Sequence, residues 1–185
     1  MAILPTARPL RIALRPALPA DAPLLFRWRG EPTVRRHQPL AEATLAELRS
    51  DLARQRTEEL YRGRGDRFQW IVLSEGDPVG WVTLAVANWD HGIAEIGYAL
   101  TTAWQGHGIM PVALTQLLAE LFSETPLARI EARCSVENVA SQRVLERVGF
   151  AREGLLRSYF VLGDERIDNW LYAVLRRDIL SAATD

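Results

Sequence analysis

A short turn with two glycines constrains the fold of this chain more than any other stretch: Gln105-Gly106-His107-Gly108-Ile109-Met110-Pro111. It joins a strand-like run at residues 93–100 to an amphipathic run at residues 112–122. Glycines one residue apart let backbone amides approach an anion where a side chain would block them. A proline suits the first turn of a helix, because its missing N–H would have no partner there. Since free N–H groups and the positive end of the helix dipole meet at such a turn, the sequence predicts a site for a nucleotide-like diphosphate.

Three ligand-binding motifs use a turn of this kind, and two of them fit poorly. A P-loop needs a lysine after its last glycine, whereas all 22 basic residues of this chain are arginine. The absence of lysine excludes a Walker-type NTPase and a lysine Schiff base. A dinucleotide-binding turn needs glycine or alanine where Pro111 stands, and its ribose-binding acid would be Glu131, which falls early in the next strand. The dinucleotide motif is therefore the weaker match, and a plain glycine turn before a helix stays an alternative.

The third motif is the Gln/Arg-x-x-Gly-x-Gly/Ala pattern of the acetyl-CoA-dependent N-acetyltransferases, the GNAT superfamily, and the turn resembles it. Met110 departs only at the last position, where a backbone amide binds. Residues 138–150 resemble the Asn-x-x-Ser…Gly-Phe segment of the same superfamily. Three motifs fit the RimJ/RimL branch, which acetylates ribosomal-protein N-termini: Trp104-Gln105-Gly106-x-Gly108-x-Met110, Glu95-Ile96-Gly97-Tyr98 and Gly149-Phe150-x-x-Glu153-Gly154-x-x-Arg157. The resemblance covers about residues 10–177.

Hydrophobic periodicity predicts the order strand, two helices, three strands, helix, strand, helix, two strands. That order alone supports an α/β or α+β fold. Asp21 is predicted to cap the first helix, and the second is predicted to run from Leu45 to just before Gly63. The resemblance implies the GNAT acyl-CoA N-acyltransferase fold, a mostly antiparallel central sheet of about seven strands with helices on both faces. We expect one domain over residues 1–185, with its core at about residues 10–177.

The resemblance also implies acetyl-CoA as cosubstrate, and a metal ion is not expected. The CoA diphosphate is assigned to the backbone amides of Gln105, Gly106, His107, Gly108, Ile109 and Met110. The pantetheine arm and the thioester carbonyl are assigned to the backbone of the preceding strand, at Tyr98, Ala99 and Leu100. Asn138 caps the next helix, with or without a contact to the pantetheine arm. Arg143 either reaches a CoA phosphate or lies on a solvated helix face.

Acetyl transfer needs a base for the amine and an acid for the departing thiolate. Glu95 is the predicted base, because superfamily members often place a carboxylate on this strand; a solvated carboxylate or a partner for an arginine is the alternative. Many members take the acid from a helix tyrosine, where this chain has Leu145. Ser141 is the predicted replacement near the CoA sulfur, unless it serves only as the third residue of a capped helix. Cys134 is interpreted as a small buried core residue.

The acceptor site is less constrained by the sequence. Trp28 and Trp89 lie beside loops and are predicted to line an acceptor pocket, whereas His37 and His91 are predicted to lie on surface loops. Ten arginines fall between residues 27 and 67. They form either a basic face for an acidic peptide or RNA-rich particle, or helix-surface charge paired with nearby acids.

Composition narrows the class of protein. A formal net charge of −1 gives no bulk attraction to nucleic acid or anionic membranes, so direct nucleic-acid binding is not expected. One cysteine forms no internal disulfide, residues 1–10 lack the apolar core of a signal peptide, and no apolar run is long enough to span a membrane. We therefore expect a cytoplasmic monomer or homodimer.

Three functions fit these observations. The first is acetyl transfer from acetyl-CoA to a primary amine, specifically a protein N-terminal α-amine. The second is the same chemistry on a small amine such as an antibiotic, a polyamine or an amino acid. The third is a CoA-binding regulatory domain without turnover, which the loss of the helix tyrosine at Leu145 allows.

Overall fold

The computed structural model describes residues 10–181, which build one seven-stranded sheet. Its order is β1-β2-β3-β4-β5-β7-β6, and every neighbouring pair is antiparallel except β4 and β5. The strands are β1 (Ile12–Pro16), β2 (Arg67–Ser74), β3 (Asp77–Asn88), β4 (Ile93–Leu100), β5 (Arg129–Ser135), β6 (Ala151–Leu162) and β7 (Glu165–Leu175). The predicted mostly antiparallel sheet of about seven strands is confirmed.

Helices cover both faces of the sheet, as predicted. The helices are α1 (Ala22–Arg29), α2 (Pro32–Arg35), α3 (Leu45–Arg54), α4 (Thr57–Leu60), α5 (Ile109–Glu124), α6 (Val139–Val148) and α7 (Arg176–Ser181). The larger buried cluster packs α5 and α6 against one face of the sheet. A smaller cluster packs α1 and α3 against Ile71, Trp81 and Ala99 on the other face. Among the described residues, no helix is long and apolar enough to cross a membrane.

The chain between β1 and β2 differs most from the prediction. The expected second helix is interrupted between α3 and α4, where Gln55 adopts an extended conformation. The side chain of Gln55 accepts from the backbone N–H of Gln69 at 2.8 Å and donates to its carbonyl at 3.1 Å, so a contact with β2 replaces a helical turn. The short helices α2 and α7 were not predicted.

The entry into α1 also differs in detail. Asp21 stands at the N-cap position, but its side chain makes no capping hydrogen bond. Its carboxylate instead accepts from both terminal nitrogens of Arg15 at 2.7 Å and from the backbone N–H of Leu18 at 2.8 Å. The carboxylate therefore ties α1 to the end of β1.

The two helices beside the predicted site begin and end as the sequence indicates. Pro111 lies in the first turn of α5. The side chain of Asn138 caps α6 by accepting from the N–H of Ser141 at 3.1 Å. Gly149 ends α6 with φ +98°, and the N–H of Phe150 bonds to the carbonyl of Leu145 at 3.0 Å, the hydrogen bond of a Schellman motif.

Candidate active site at the diverging strands

β4 and β5 separate after a short stretch of pairing. Only residues 93–95 pair with residues 129–131, so the edge of β4 beyond Glu95 has no strand partner on that side in the described sheet. A cavity of about 280 Å³ lies at the divergence. Its lining includes Glu95, Tyr98, Asn138 and Ser141. The structure thus brings together the residues that were predicted for the acid–base chemistry.

The glycine turn follows β4 after a short helical segment at Thr102–Trp104, and its geometry fits an anion. Gly106 and Gly108 have φ of +80° and +72°, and a Cβ added to either would meet no atom within 4 Å. No hydrogen bond among the described residues uses the N–H groups of Gly106, His107 or Gly108. The side chains of Ile109 and Met110 are buried and anchor the turn in the core. The turn therefore presents backbone donors and open space, which is what a diphosphate requires.

Glu95 is held at the divergence by a charged pair. Its carboxylate accepts from Nη1 of Arg133 on β5, whose Nη2 lies 3.3 Å from the carboxylate of Glu131. The guanidinium of Arg133 also lies 5.4 Å from the centre of the Tyr159 ring. Glu95 is therefore a partner of an arginine, as one of the two interpretations of the sequence had it. Its role as a base stays a prediction.

Two hydroxyls of the cavity lining lie within hydrogen-bond distance of each other. The phenol oxygen of Tyr98 lies 2.8 Å from Oγ of Ser141 and 3.3 Å from the carbonyl of Ser141. Burial raises the pKa of Tyr98, so the phenol is protonated at neutral pH. The sequence interpretation used only the backbone of Tyr98, and its hydroxyl was missed because the contact joins residues 43 positions apart.

One departure from the family pattern, Leu145, lies on the same helix as Ser141. Leu145 is fully buried in the larger core cluster, where it serves packing. Cys134 is buried, as predicted, and burial raises the pKa of its thiol to about 11, against a smaller opposing effect of a hydrogen bond with Ser141. A thiol of that pKa stays protonated and is a poor nucleophile at neutral pH. Arg143 is exposed on α6.

Neither tryptophan predicted for the acceptor pocket lines this cavity. Trp28 is buried and stacks on Trp81, with ring centres 6.2 Å apart. Trp89 donates from Nε1 to the carbonyl of Gly65 at 2.6 Å, beside the start of β4 and away from the glycine turn. These positions supply no support for acceptor binding, which stays a prediction for both.

The loop after α2 reaches the cavity. His37 lies on this loop, as predicted, where it is half-buried and lines the cavity. Burial lowers the pKa of His37, with a smaller effect from Arg36. Gln38 donates from Nε2 to the carbonyl of Tyr98 at 2.9 Å and so fastens the loop to β4. No sequence signal indicates that this loop contacts β4, because the position of the loop depends on a tertiary contact with the strand edge. His91 is exposed, as predicted.

Within residues 10–181, no three His, Cys, Asp or Glu side chains gather in a way that could hold a metal ion. The polar side chains of the cavity are instead a carboxylate, a guanidinium, the imidazole of His37, amides and hydroxyls. These groups can exchange protons and orient an amine and a thioester.

The comparison with protein families identifies the chain. The acetyltransferase (GNAT) domain matches residues 11–151. The chain belongs to the GNAT family. It is an acetyl-CoA-dependent N-acetyltransferase, as the resemblance implied, and the glycine turn and the diverging strands lie inside the matched residues.

Relatives of the GNAT chain support the RimJ/RimL-type branch. An uncharacterised N-acetyltransferase, p20 of Bacillus licheniformis, is 29% identical over 91% of this chain and 94% of its own length. The ribosomal-protein-serine acetyltransferase of Escherichia coli is 33% identical over 60% of this chain and 62% of its own length. Mycobacterium smegmatis RimJ, solved with a CoA disulfide, has a TM-score of 0.77 and 28% identity, and the match covers 96% of this chain and 93% of that chain.

Proposed function

We propose that this GNAT enzyme acetylates the N-terminal α-amine of a protein. The observation that supports this most is that two spaces adjoin at a shared residue. Leu40 lines the catalytic cavity and also a groove of about 620 Å³ between α1 and the start of α3. A protein N-terminus needs room for the chain behind its amine, and the groove offers that room. Two relatives from Escherichia coli are named for protein acceptors, one as a ribosomal-protein-serine acetyltransferase and one as a ribosomal protein uS5-alanine N-acetyltransferase.

The donor site is proposed on the glycine turn and the end of β4. Acetyl-CoA supplies the activated acetyl group as a thioester. The N–H groups of Gly106, His107 and Gly108 have no partner among the described residues and converge with the positive end of α5, so they bind the diphosphate. The edge of β4 at residues 98–100 has no strand partner on that side, although the carbonyls of Tyr98 and Leu100 accept from Gln38 and Gln105. The backbone of this edge is proposed to orient the pantetheine arm and the thioester carbonyl.

Glu95 is proposed to remove the proton from the amine. Side chains alternate along β4, so Glu95 and Ala99 face the side of α1 and α3, while Ile96 and Tyr98 face the side of α5. The base thus lies on the side where the groove opens. Arg133 holds the carboxylate in one orientation, and the proton reaches it directly or through one water.

Ser141 is proposed to relay a proton to the departing thiolate, on the opposite side of the gap: its hydroxyl proton passes to the sulfur as Oγ takes up the phenol proton of Tyr98, which solvent then replaces. A serine hydroxyl is a weak acid. It assists protonation of the thiolate only if its proton points toward the sulfur. If the protonated phenol of Tyr98 donates to Oγ of Ser141, the serine proton is free to point into the cavity. Tyr98 is then a positioning residue that acts through Ser141.

A panel of acceptors tests the function. Release of the CoA thiol is followed with peptides that carry a free α-amine, with the same peptides blocked at the α-amine, with spermidine and with free lysine. We expect kcat/KM for free peptides to exceed that for spermidine at least tenfold, and no turnover with blocked peptides that lack lysine. Preference for spermidine, or turnover of the blocked peptides, contradicts the proposal.

A further inference from the structure

The groove that shares Leu40 with the catalytic cavity has an unusual charge distribution. Arg27, Arg29 and Arg35 line it, and none of them makes an ion pair among the described residues. Arg29 is half-buried and donates from Nη2 to the carbonyl of Ala41 at 3.0 Å. Burial lowers its pKa and the nearby charge of Arg35 lowers it further, whereas the charge of Asp51, which is paired with Arg54, raises it. The lining of the groove therefore gathers three arginines and two acids, Glu42 and Glu47.

The two acids of the groove do not neutralise these arginines. The carboxylate of Glu47 accepts from the backbone N–H of Thr44 at 2.7 Å and from its hydroxyl at 2.8 Å, so it is used in the capping box of α3. Glu42 is exposed and forms no ion pair among the described residues. Three guanidinium groups thus face a single uncommitted carboxylate.

Apolar surface accompanies the charges. Phe26 is 49% exposed on α1, and Leu40 and Leu45 also line the groove. A cavity of several hundred Å³ with apolar walls and a few charged groups is typical of a ligand site. Arginine binds carboxylates with paired, planar hydrogen bonds, so the chemistry of this lining selects an anionic ligand with apolar parts.

We propose that the groove binds an acidic segment of the acceptor protein, located just behind the α-amine that is acetylated. This inference rests on the proposed function, which supplies the acceptor protein. The arginines of the groove supply the reason why the bound segment is acidic. The hydrogen bond from Gln38 to the carbonyl of Tyr98 holds the loop that carries Leu40, the residue at which the cavity and the groove adjoin. The same arginines repel a polyamine, which is a cation along its whole length.

A peptide-binding assay measures the affinity of the groove independently of acetyl transfer. Fluorescence anisotropy is measured with a peptide that begins with a free serine, continues with aspartates and glutamates, and is labelled at its C-terminus. Replacement of Arg27 or Arg35 by Gln should weaken binding roughly tenfold each, the effect of losing one charge-assisted hydrogen-bonded contact. Arg49→Gln, an exposed arginine of α3 outside the groove, is the matched control and should leave the affinity unchanged. Arg35→Glu should favour a peptide with lysines in place of the acids.

The outcomes distinguish this inference from the proposed function. Equal affinity for acidic and basic peptides in the unmodified protein, or equal losses in Arg35→Gln and Arg49→Gln, overturns the acidic-segment proposal even if peptides are acetylated. Arginine-dependent binding of the acidic peptide supports the groove even if its amine is not acetylated, in which case the proposed function alone fails. Tighter binding of a single-stranded RNA than of the acidic peptide also overturns the proposal.

Discussion

The phenol of Tyr98 and Oγ of Ser141 lie 2.8 Å apart, on two elements that meet only at the divergence of β4 and β5. Tyr98→Phe removes this contact and should lower kcat roughly tenfold, the equivalent of one buried hydrogen bond, with little change in acetyl-CoA affinity. Because Tyr98 acts through Ser141, the same change in a Ser141→Ala background should cost little more. Steady-state kinetics of the double-mutant cycle measure this coupling. Tyr61→Phe, which removes a phenol bonded to Glu120 far along the chain, is the control; additive losses at Tyr98 and Ser141 would count against the relay.

Glu95→Gln tests the proposed base. A positioned proton acceptor contributes roughly 10²–10⁴ to the rate, so turnover should fall within that range. The loss should be largest below the pKa of the α-amine, about 7.7–8.0, and should shrink above it, because the amine is then already neutral. Glu131→Gln is the matched control, since it removes the other carboxylate beside Arg133 and leaves Glu95 in place. A loss under about threefold at Glu95, or equal losses in both variants, points to another base or to solvent.

Gly108→Val tests the diphosphate site through binding alone. Acetyl-CoA at a hundredfold excess over its Kd should raise the free energy of unfolding of the unmodified protein by about 2.7 kcal/mol. This stabilisation by the ligand should disappear in the variant. The control is Gly163→Val in the turn between β6 and β7, where φ is +63° and an added Cβ also meets no atom within 4 Å. Both variants carry the same backbone strain, so thermal shifts with and without acetyl-CoA isolate the ligand effect. Retention of the full shift in Gly108→Val contradicts the assignment.

Asp21 should contribute stability with a defined pH dependence. The hydrogen bonds from Arg15 lower its pKa, against the opposing effect of burial. A lowered folded-state pKa means that the stabilisation is present above the unfolded value, near 3.9, and is lost as the pH falls through the folded value. Asp21→Asn should therefore destabilise the fold by about 2 kcal/mol at pH 7, and the difference should narrow at pH 3. Urea unfolding at pH 7 and at pH 3 measures the two differences in stability. The control is Asp51→Asn, which removes an exposed ion pair with Arg54 and should change stability by less than about 1 kcal/mol.

Local signals predicted the parts of the site that depend on neighbouring residues. The glycine turn, the cap at Asn138 and the C-terminal glycine of α6 at Gly149 follow from backbone requirements within a few residues. Alternation along β4 placed Glu95 and Ile96 on opposite faces of the sheet. These features were predictable because the chain satisfies them locally.

The remainder depends on pairing between distant segments. Nothing in the sequence of β4 or β5 states that they pair over three residues and then part, and that parting creates the cavity. The Arg133–Glu95 and Tyr98–Ser141 contacts follow from it. The break between α3 and α4 has the same origin, since the contact of Gln55 with Gln69 outweighs local helix propensity.

The most direct test of the account is the position of the transferred acetyl group. A peptide with a free N-terminal serine, acidic residues behind it and one internal lysine is incubated with acetyl-CoA, and the product is fragmented by tandem mass spectrometry. We predict that acetyl is found on the α-amine alone. The Glu95→Gln variant should form this product at least about a hundredfold more slowly than the unmodified protein. Acetyl on the lysine side chain, or no acetylated peptide under conditions in which spermidine is acetylated, would contradict the proposed function.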